Sequence, residues 1–460
     1  MPTRILKAFL ATATVLPLLA TATPAHAFCG FYVAKADGQL FNKASKVVVA
    51  RKDKRTVVTM ASDYSGDPKE FALVVPVPTV ITKAQIHITD NKLIDHVDAY
   101  TAPRLVEYHD PDPCAVHDQS GKVGMLMSAV PAAPAAKLRE ERQRALGVTI
   151  EAEYTVGEYD IVILSAKESD GLQTWLNDEG YKMPPASAPV LGSYIKQGMK
   201  FFVAKVNLKE KDKLGFQYLR PISVAYETEK FMLPVRLGTV NAQGPQDMLV
   251  FMLSEKGRVE ATNYPTRQIP SNLNVPIFTR NEFGAFYKAM FDTQVKNDGM
   301  KAVYTEYAWN MGWCDPCAAD PIPNDKLVEL GAFWLAASPV NGQPQINGRR
   351  MPVPGSPQAV FITRLHVRYD AQSFPEDIQF QETADTGNFQ GRYVLHHPFK
   401  GEVTCGAAEA YARTLARRHE EEAANMARLT GWPAKLIAQK MAAAAPEKAW
   451  YEQMWGGKNK

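Results

Sequence analysis

Lys46-Val47-Val48-Val49-Ala50-Arg51, Lys52-Asp53-Lys54-Arg55, Thr56-Val57-Val58-Thr59-Met60: a β-branched run, a charged tetrad and a second β-branched run. β-branched side chains suit a pleated, half-buried surface, and the charged tetrad between them is a turn, so the stretch predicts an antiparallel hairpin. Residues 70–78, Glu-Phe-Ala-Leu-Val-Val-Pro-Val-Pro, extend the pattern as a third strand that stops at its prolines. Residues 63–68 form the turn before it. Residues 91–108 read as a short helix packed on this sheet through Leu93, Ile94, Val97 and Leu105.

Further along, residues 148–154 and 159–165 alternate as two strands around Gly157. Residues 169–180 read as a helix with Ser169 as N-cap, Leu172, Trp175 and Leu176 on its apolar face, and Gly180 as the stop. A second short helix ends over 194–197. Residues 200–208, 221–227, 233–238 and 248–254 read as strands. A helix over 281–296 and an aromatic-rich strand over 302–310 follow, then a helix over 324–335 capped by Asn324. Residues 359–369 form a strand with Arg364, His366 and Arg368 on one face and Phe361, Leu365 and Val367 on the other. One more strand covers 392–396, where the adjacent His396 and His397 point opposite ways. Residues 405–430 and 433–445 have helical spacing, with Arg413, Arg417, Arg418, Glu420, Glu421 and Glu422 on a solvated face and a stop at Gly431-Trp432-Pro433.

The chain is thus expected to be α+β: largely antiparallel β-sheet lobes with inserted helices and a helical C-terminal segment. Residues 1–27 read as a signal peptide, from Arg4 and Lys7, a short apolar run and Ala25-His26-Ala27. An N-terminal β-rich lobe follows over 28–118, a linker or excursion over 119–147, a central α+β lobe over 148–400 and the helical segment over 401–460. No run after the leader reaches the ~18 apolar residues of a transmembrane helix. The net charge of +3 falls to about +1 without Arg4 and Lys7, which leaves no basic footprint for nucleic acid. The expected location is the periplasm or outside the cell.

Phe28-Cys29-Gly30-Phe31-Tyr32-Val33, Val75-Pro76-Val77-Pro78 and Tyr100-Thr101-Ala102-Pro103-Arg104-Leu105-Val106-Glu107-Tyr108 resemble the bacterial domain of unknown function 2330 family. The resemblance continues through Leu219-Arg220-Pro221-Ile222 and Leu233-Pro234-Val235-Arg236-Leu237. It implies an exported bacterial protein and supplies no catalytic residue.

The five cysteines, Cys29, Cys114, Cys314, Cys317 and Cys405, all follow the leader, where an oxidising compartment favours pairing. Cys314 and Cys317 sit two residues apart in Gly312-Trp313-Cys314-Asp315-Pro316-Cys317. Trp-Cys-x-Pro-Cys matches the thioredoxin active site, but Pro321 and Pro323 follow closely and Asp315 places a negative charge beside the thiols. A structural disulfide there is the plainer expectation, with two of Cys29, Cys114 and Cys405 forming another. A tetrahedral metal would need further ligands.

His109, Asp110, Asp112 and His117 offer a divalent-ion cluster, but the alternating Asp-Pro sequence reads first as a rigid turn. Ser193-Tyr194-Ile195-Lys196 is an isolated S-x-x-K without a K-T-G partner. No cofactor is expected. The sequence leaves catalysis open. It reads first as a non-catalytic binding or envelope-associated interaction protein whose partner is an envelope protein or a small ligand. The alternative is a thiol–disulfide oxidoreductase or redox-sensitive protein, with Cys314 as nucleophile and Cys317 as resolving thiol.

Overall fold

The computed structural model describes residues 31–35, 41–42, 45–61, 64–65, 71–115, 148–179, 181–182, 186–214, 219–240, 242, 244–312, 315, 321–336, 345–346, 349–350, 360–401 and 403–444. The opening hairpin forms as its sequence dictates. Ser45–Lys52 and Arg55–Ala61 pair antiparallel, with Lys52 opposite Arg55. Asp53, in the two-residue turn, takes a φ of 54°, a left-handed conformation that Asp tolerates better than most residues.

Val47, Val48, Val49 and Ala50 are all buried, so this strand is covered on both faces and its apolar run is continuous instead of alternating. The same holds for 72–75, 161–164 and 201–204. The reason is a stack of layers. One large sheet has the order Thr266–Gln268, Val303–Asn310, Phe361–Tyr369, Gln246–Ser254, Ser45–Lys52, Arg55–Ala61, Ile222–Glu227 and Ile86–Ile88. The second has six strands, Tyr181–Lys182, Phe31–Lys35, Phe71–Val77, Lys200–Val206, Tyr159–Ala166 and Val148–Val156. They pack face to face, with Val47, Val49 and Met60 of the first against Leu73, Ile163 and Phe202 of the second.

The helices are α1 (Asn91–Thr101), α2 (Ser169–Asp178), α3 (Ser187–Lys196), α4 (Leu208–Leu214), α5 (Arg236–Val240), α6 (Phe283–Asn297), α7 (Asn324–Glu329), α8 (Ala408–Thr430) and α9 (Ala434–Ala444). Helices α2, α3 and α5 cover the outer face of the six-stranded sheet, where Trp175, Leu191 and Leu237 meet Val74 and Phe201. Helices α1 and α7 cover the outer face of the larger sheet, where Ile94, Val97 and Leu327 meet Val48 and Phe251. A further core joins α6, α8 and α9 to the small sheet of Leu273–Asn274, Arg392–His397 and Arg104–His109. The chain is therefore α+β, with antiparallel pairings predominating and parallel ones at Ser45–Lys52 with Gln246–Ser254, at Thr266–Gln268 with Val303–Asn310, and within the small sheet. Strands from 28–118 and from 148–400 lie side by side in both large sheets.

Several local expectations are corrected. Phe71–Val77 leaves the first hairpin and joins the other sheet. The helix expected over 91–108 stops at Thr101, because Pro103 cannot continue it, and Leu105 lies in the strand Arg104–His109. The N-cap of α2 is Glu168, and Ser169 is its first helical residue. The strand expected over 233–238 shortens to Met232–Leu233, and α5 begins after Pro234. Residues 200–208 split into a strand ending at Val206 and the start of α4. The helix expected over 324–335 ends at Glu329, with Pro323 as its cap position, and only a short turn of 3-10 helix follows. Gly431 stops α8 as expected. Its φ is 68°, and its N–H reaches back to the Ala427 carbonyl at 2.9 Å.

Candidate functional site

Strand alternation sorts Phe361–Tyr369 into two chemistries. Leu365, Val367 and Tyr369 enter the core between the sheets, while Arg364, His366 and Arg368 turn outward beneath α1 and α6. There the charges alternate in sign along one line. Lys46 reaches Asp98 of α1 at 2.8 Å, and Asp98 also pairs with Arg364. Arg364 donates to Glu306, which receives His366 Nδ1 at 2.6 Å and the Tyr287 hydroxyl of α6. Arg368 donates through Nε and Nη2 to both carboxylate oxygens of Asp247, each at 2.8 Å, and also pairs with Asp292 of α6. The His366 ring stacks on Phe291 with centroids 3.7 Å apart.

Glu306 owes its place to a β-bulge: the register with Phe361–Tyr369 slips between Thr305 and Tyr307. The side chain is fully buried. Burial alone would raise its pKa, but the His366 and Arg364 charges draw it down to about 2. Burial alone would lower His366. Glu306 and Asp247 outweigh it and hold the imidazole above its ordinary value. Asp247 is depressed, since His366 and Arg368 overcome its burial. Each buried charge is therefore met by an opposite one, the condition under which burying it is tolerable. The network ties α1 and α6 to the sheet.

A second polar cluster lies where Arg104–His109 pairs in parallel with Arg392–His397. His397 Nε2 is 2.6 Å from Glu107, and its ring stacks on His109 at 4.4 Å. His396 instead lies against Tyr108, so the two histidines do point opposite ways. Asp110 accepts two hydrogen bonds from Arg418, each at 2.9 Å, and one from the Tyr411 hydroxyl at 2.6 Å. Arg418 and Glu422 were expected on the solvated face of their helix; both turn inward, and Glu422 is only 2% exposed. Burial raises Glu422 to about 7, against the pull of the nearby Arg418.

This perturbation has a testable sign. An unfolded Glu422 ionises near 4.5, whereas the folded one keeps its proton to about 7. The stability drawn from the protonated form is complete below the unfolded value and is lost as pH rises through the folded one. Glu422→Gln removes the ionisation. Denaturant titrations should find it more stable than the parent by about 1–3 kcal/mol at pH 8.5, and near-neutral at pH 4.

The other residues singled out by sequence fall in varied places. Cys114 and Cys405 form a disulfide with Cα atoms 5.8 Å apart. Cys29, Cys314, Cys317 and His117 lie outside the described residues. Asp315, which lies between Cys314 and Cys317 in sequence, accepts hydrogen bonds from the Tyr307 hydroxyl at 3.0 Å and from Gln390 at 2.8 Å. Of the proposed ion ligands, Asp110 is engaged by Arg418, Asp112 accepts the Cys114 backbone N–H at 2.8 Å, and His109 stacks on His397. Among the described residues no three His, Cys, Asp or Glu side chains are grouped to hold a metal ion. The Ser193 hydroxyl donates to the Val190 carbonyl within its own helix, at 2.7 Å.

A cleft of about 280 Å³ opens near the ends of Phe71–Val77 and Ile222–Glu227, strands of the two different sheets. Its walls include Pro76, Pro78, Met199, Tyr226, Met232 and Pro234. Glu229 and Lys230 also line it, and the Lys230 ammonium donates to Gln197 at 3.0 Å.

The family model described as "Uncharacterized protein conserved in bacteria (DUF2330)" matches residues 23–381. The chain belongs to that family. The match takes in both large sheets, Glu306, Arg364, His366 and the cleft, and ends before α8 and Cys405. Neither a curated protein nor a solved structure matches the chain. No helix among the described residues of this family member is long and apolar enough to cross a membrane.

Two features escaped sequence reasoning. Glu306 was a lone acid in an otherwise apolar and aromatic strand, Val303-Tyr304-Thr305-Glu306-Tyr307-Ala308-Trp309, and that isolation is the signal that marks it. Asp98, Asp247 and Asp292 give no such signal, because each stands at an ordinary position on a helix or at a strand end and meets its partner only across the fold.

Proposed function

We propose that this family member is an exported protein of the bacterial envelope, periplasmic or secreted, that binds a small ligand or another envelope protein and does not turn over a substrate. The observation that carries this reading is the cleft at the ends of the two sheets. Its proline, methionine and tyrosine walls suit retention of a compact apolar group, and its volume lies near the lower end of ligand pockets, about 300 Å³. Arg364, His366 and Arg368 engage Asp98, Glu306, Asp247 and Asp292, and so hold α1 and α6 to the sheet. The leader-like residues 1–27 and the Cys114–Cys405 disulfide support export to an oxidising compartment.

Turnover is the direct test. The protein without residues 1–27 is assayed on a broad hydrolase panel and for insulin reduction, beside a redox titration with each cysteine mapped by mass spectrometry. The expected outcome is no turnover and a Cys314–Cys317 pair that stays oxidised below about −300 mV. Turnover abolished by one substitution overturns the reading. So does a pair titrating between about −270 and −120 mV, which assigns the loop to thiol–disulfide exchange.

A further inference from the structure

The first half of α8 is tethered by a few links, most of them to one arm of the chain. Residues 406–421 include no buried residue, whereas Glu422, Asn425, Met426, Leu429 and Thr430 are buried farther along the same helix. Three links lead from this exposed half to residues 110–114. Cys405 is bonded to Cys114, Tyr411 donates to Asp110, and Arg418 donates to Asp110. Tyr411 also accepts the Phe399 backbone N–H at 2.8 Å. The arm itself is rooted in the sheet, because the Asp110 N–H donates to the His397 carbonyl at 2.9 Å. Cys114 and Cys405 are both partly exposed.

We infer that the Cys114–Cys405 disulfide is a redox clasp on this half-helix, and that its reduction releases residues 406–417 while the layered body stays folded. With the bond closed, Cys405 cannot leave Cys114, so the segment entering α8 is held at its first turn. With the bond open, the polar links to Asp110 and Phe399 remain, and partly solvated ion pairs hold weakly. Residues 406–417 include no fully buried side chain, and only Tyr411, Leu415 and two alanines give up partial apolar cover when the segment lifts away, so the opening is local. The step balances with a dithiol reductant of the envelope. It gives up two electrons, the S–S bond breaks, Cys114 and Cys405 each gain a proton as thiols, and the reductant leaves as its own disulfide.

Hydrogen exchange followed by mass spectrometry tests this on the full mature chain, comparing the parent with the double variant Cys114→Ser/Cys405→Ser. In the variant, amides of 408–417 should exchange about tenfold or more faster, independently of low denaturant, while Phe361–Tyr369 changes only with global stability. Trypsin should cut after Arg413 and Arg417 in the variant before it cuts elsewhere in the folded body. Unchanged exchange over 408–417, or acceleration of the helix and the strand together, overturns the clasp. Asp110→Asn in the disulfide-bonded protein should leave 408–417 protected. If it opens the segment as far as loss of the disulfide does, the clasp is Asp110 and the inference fails.

Discussion

Glu306→Gln will destabilise the protein by about 3–5 kcal/mol, the usual consequence of removing one partner from a buried ion network. The substitution keeps the side-chain shape but strips the charge that Arg364, His366 and the Tyr287 hydroxyl all face. Arg364 retains Asp98, and His366 retains Asp247 at 3.5 Å, so the helices stay docked but less firmly. The loss should depend on pH in a defined way. Glu306 is depressed to about 2, so its contribution is complete above the unfolded value of 4.5 and fades as pH falls through about 2. His366 is raised, so its contribution is complete below 6.5 and fades as pH rises through its folded value. The gap between parent and variant is therefore widest from about pH 5 to 6.5 and narrows on both sides. Denaturant midpoints from pH 3 to 9 read it directly. A gap that is flat across this range would show that Glu306 and His366 are not coupled.

The second large effect is on the disulfide. Cys114 and Cys405 are 291 residues apart, and a bond closing so long a loop restricts the unfolded chain heavily. Replacing both with Ser should cost about 2–5 kcal/mol of global stability. The value should fall toward the lower end, because the first half of α8 gains freedom in the folded variant and offsets part of the unfolded chain's gain. The same comparison under reducing conditions should bring the parent to the level of the variant. A parent that keeps its full advantage after complete reduction would show that the serines, not the missing bond, cause the loss.

What the sequence reveals is local, and what it conceals depends on distant partners. The hairpin at 46–60 needs only β-branched runs and a charged turn. The two faces of Phe361–Tyr369 need only a period of two. Gly431 stops α8 because the left-handed conformation there suits glycine. The failures have a common cause. Phe71–Val77 reads as the third strand of the hairpin's sheet because nothing in its own residues says which sheet it joins. Arg418 and Glu422 look solvated because a charged helical face gives no sign that Asp110, about three hundred residues earlier, waits beneath it. Arg364 and His366 could be placed on one face, yet their acids come from α1, a bulged strand and Gln246–Ser254, and only the folded chain aligns them. The cleft is assembled the same way, from Pro76 and Pro78 of one region and Met199, Tyr226, Met232 and Pro234 of others.

The most direct test of the binding reading is a fluorescence titration of that cleft with N-phenyl-1-naphthylamine, a compact apolar probe. The folded protein is compared with Met199→Trp, which fills the cleft from its wall. Saturable binding at one site, weakened about tenfold or more in Met199→Trp at unchanged thermal midpoint, is the predicted result. Binding that does not saturate, or that is equally strong in the filled variant, would contradict the assignment of the cleft as the recognition site.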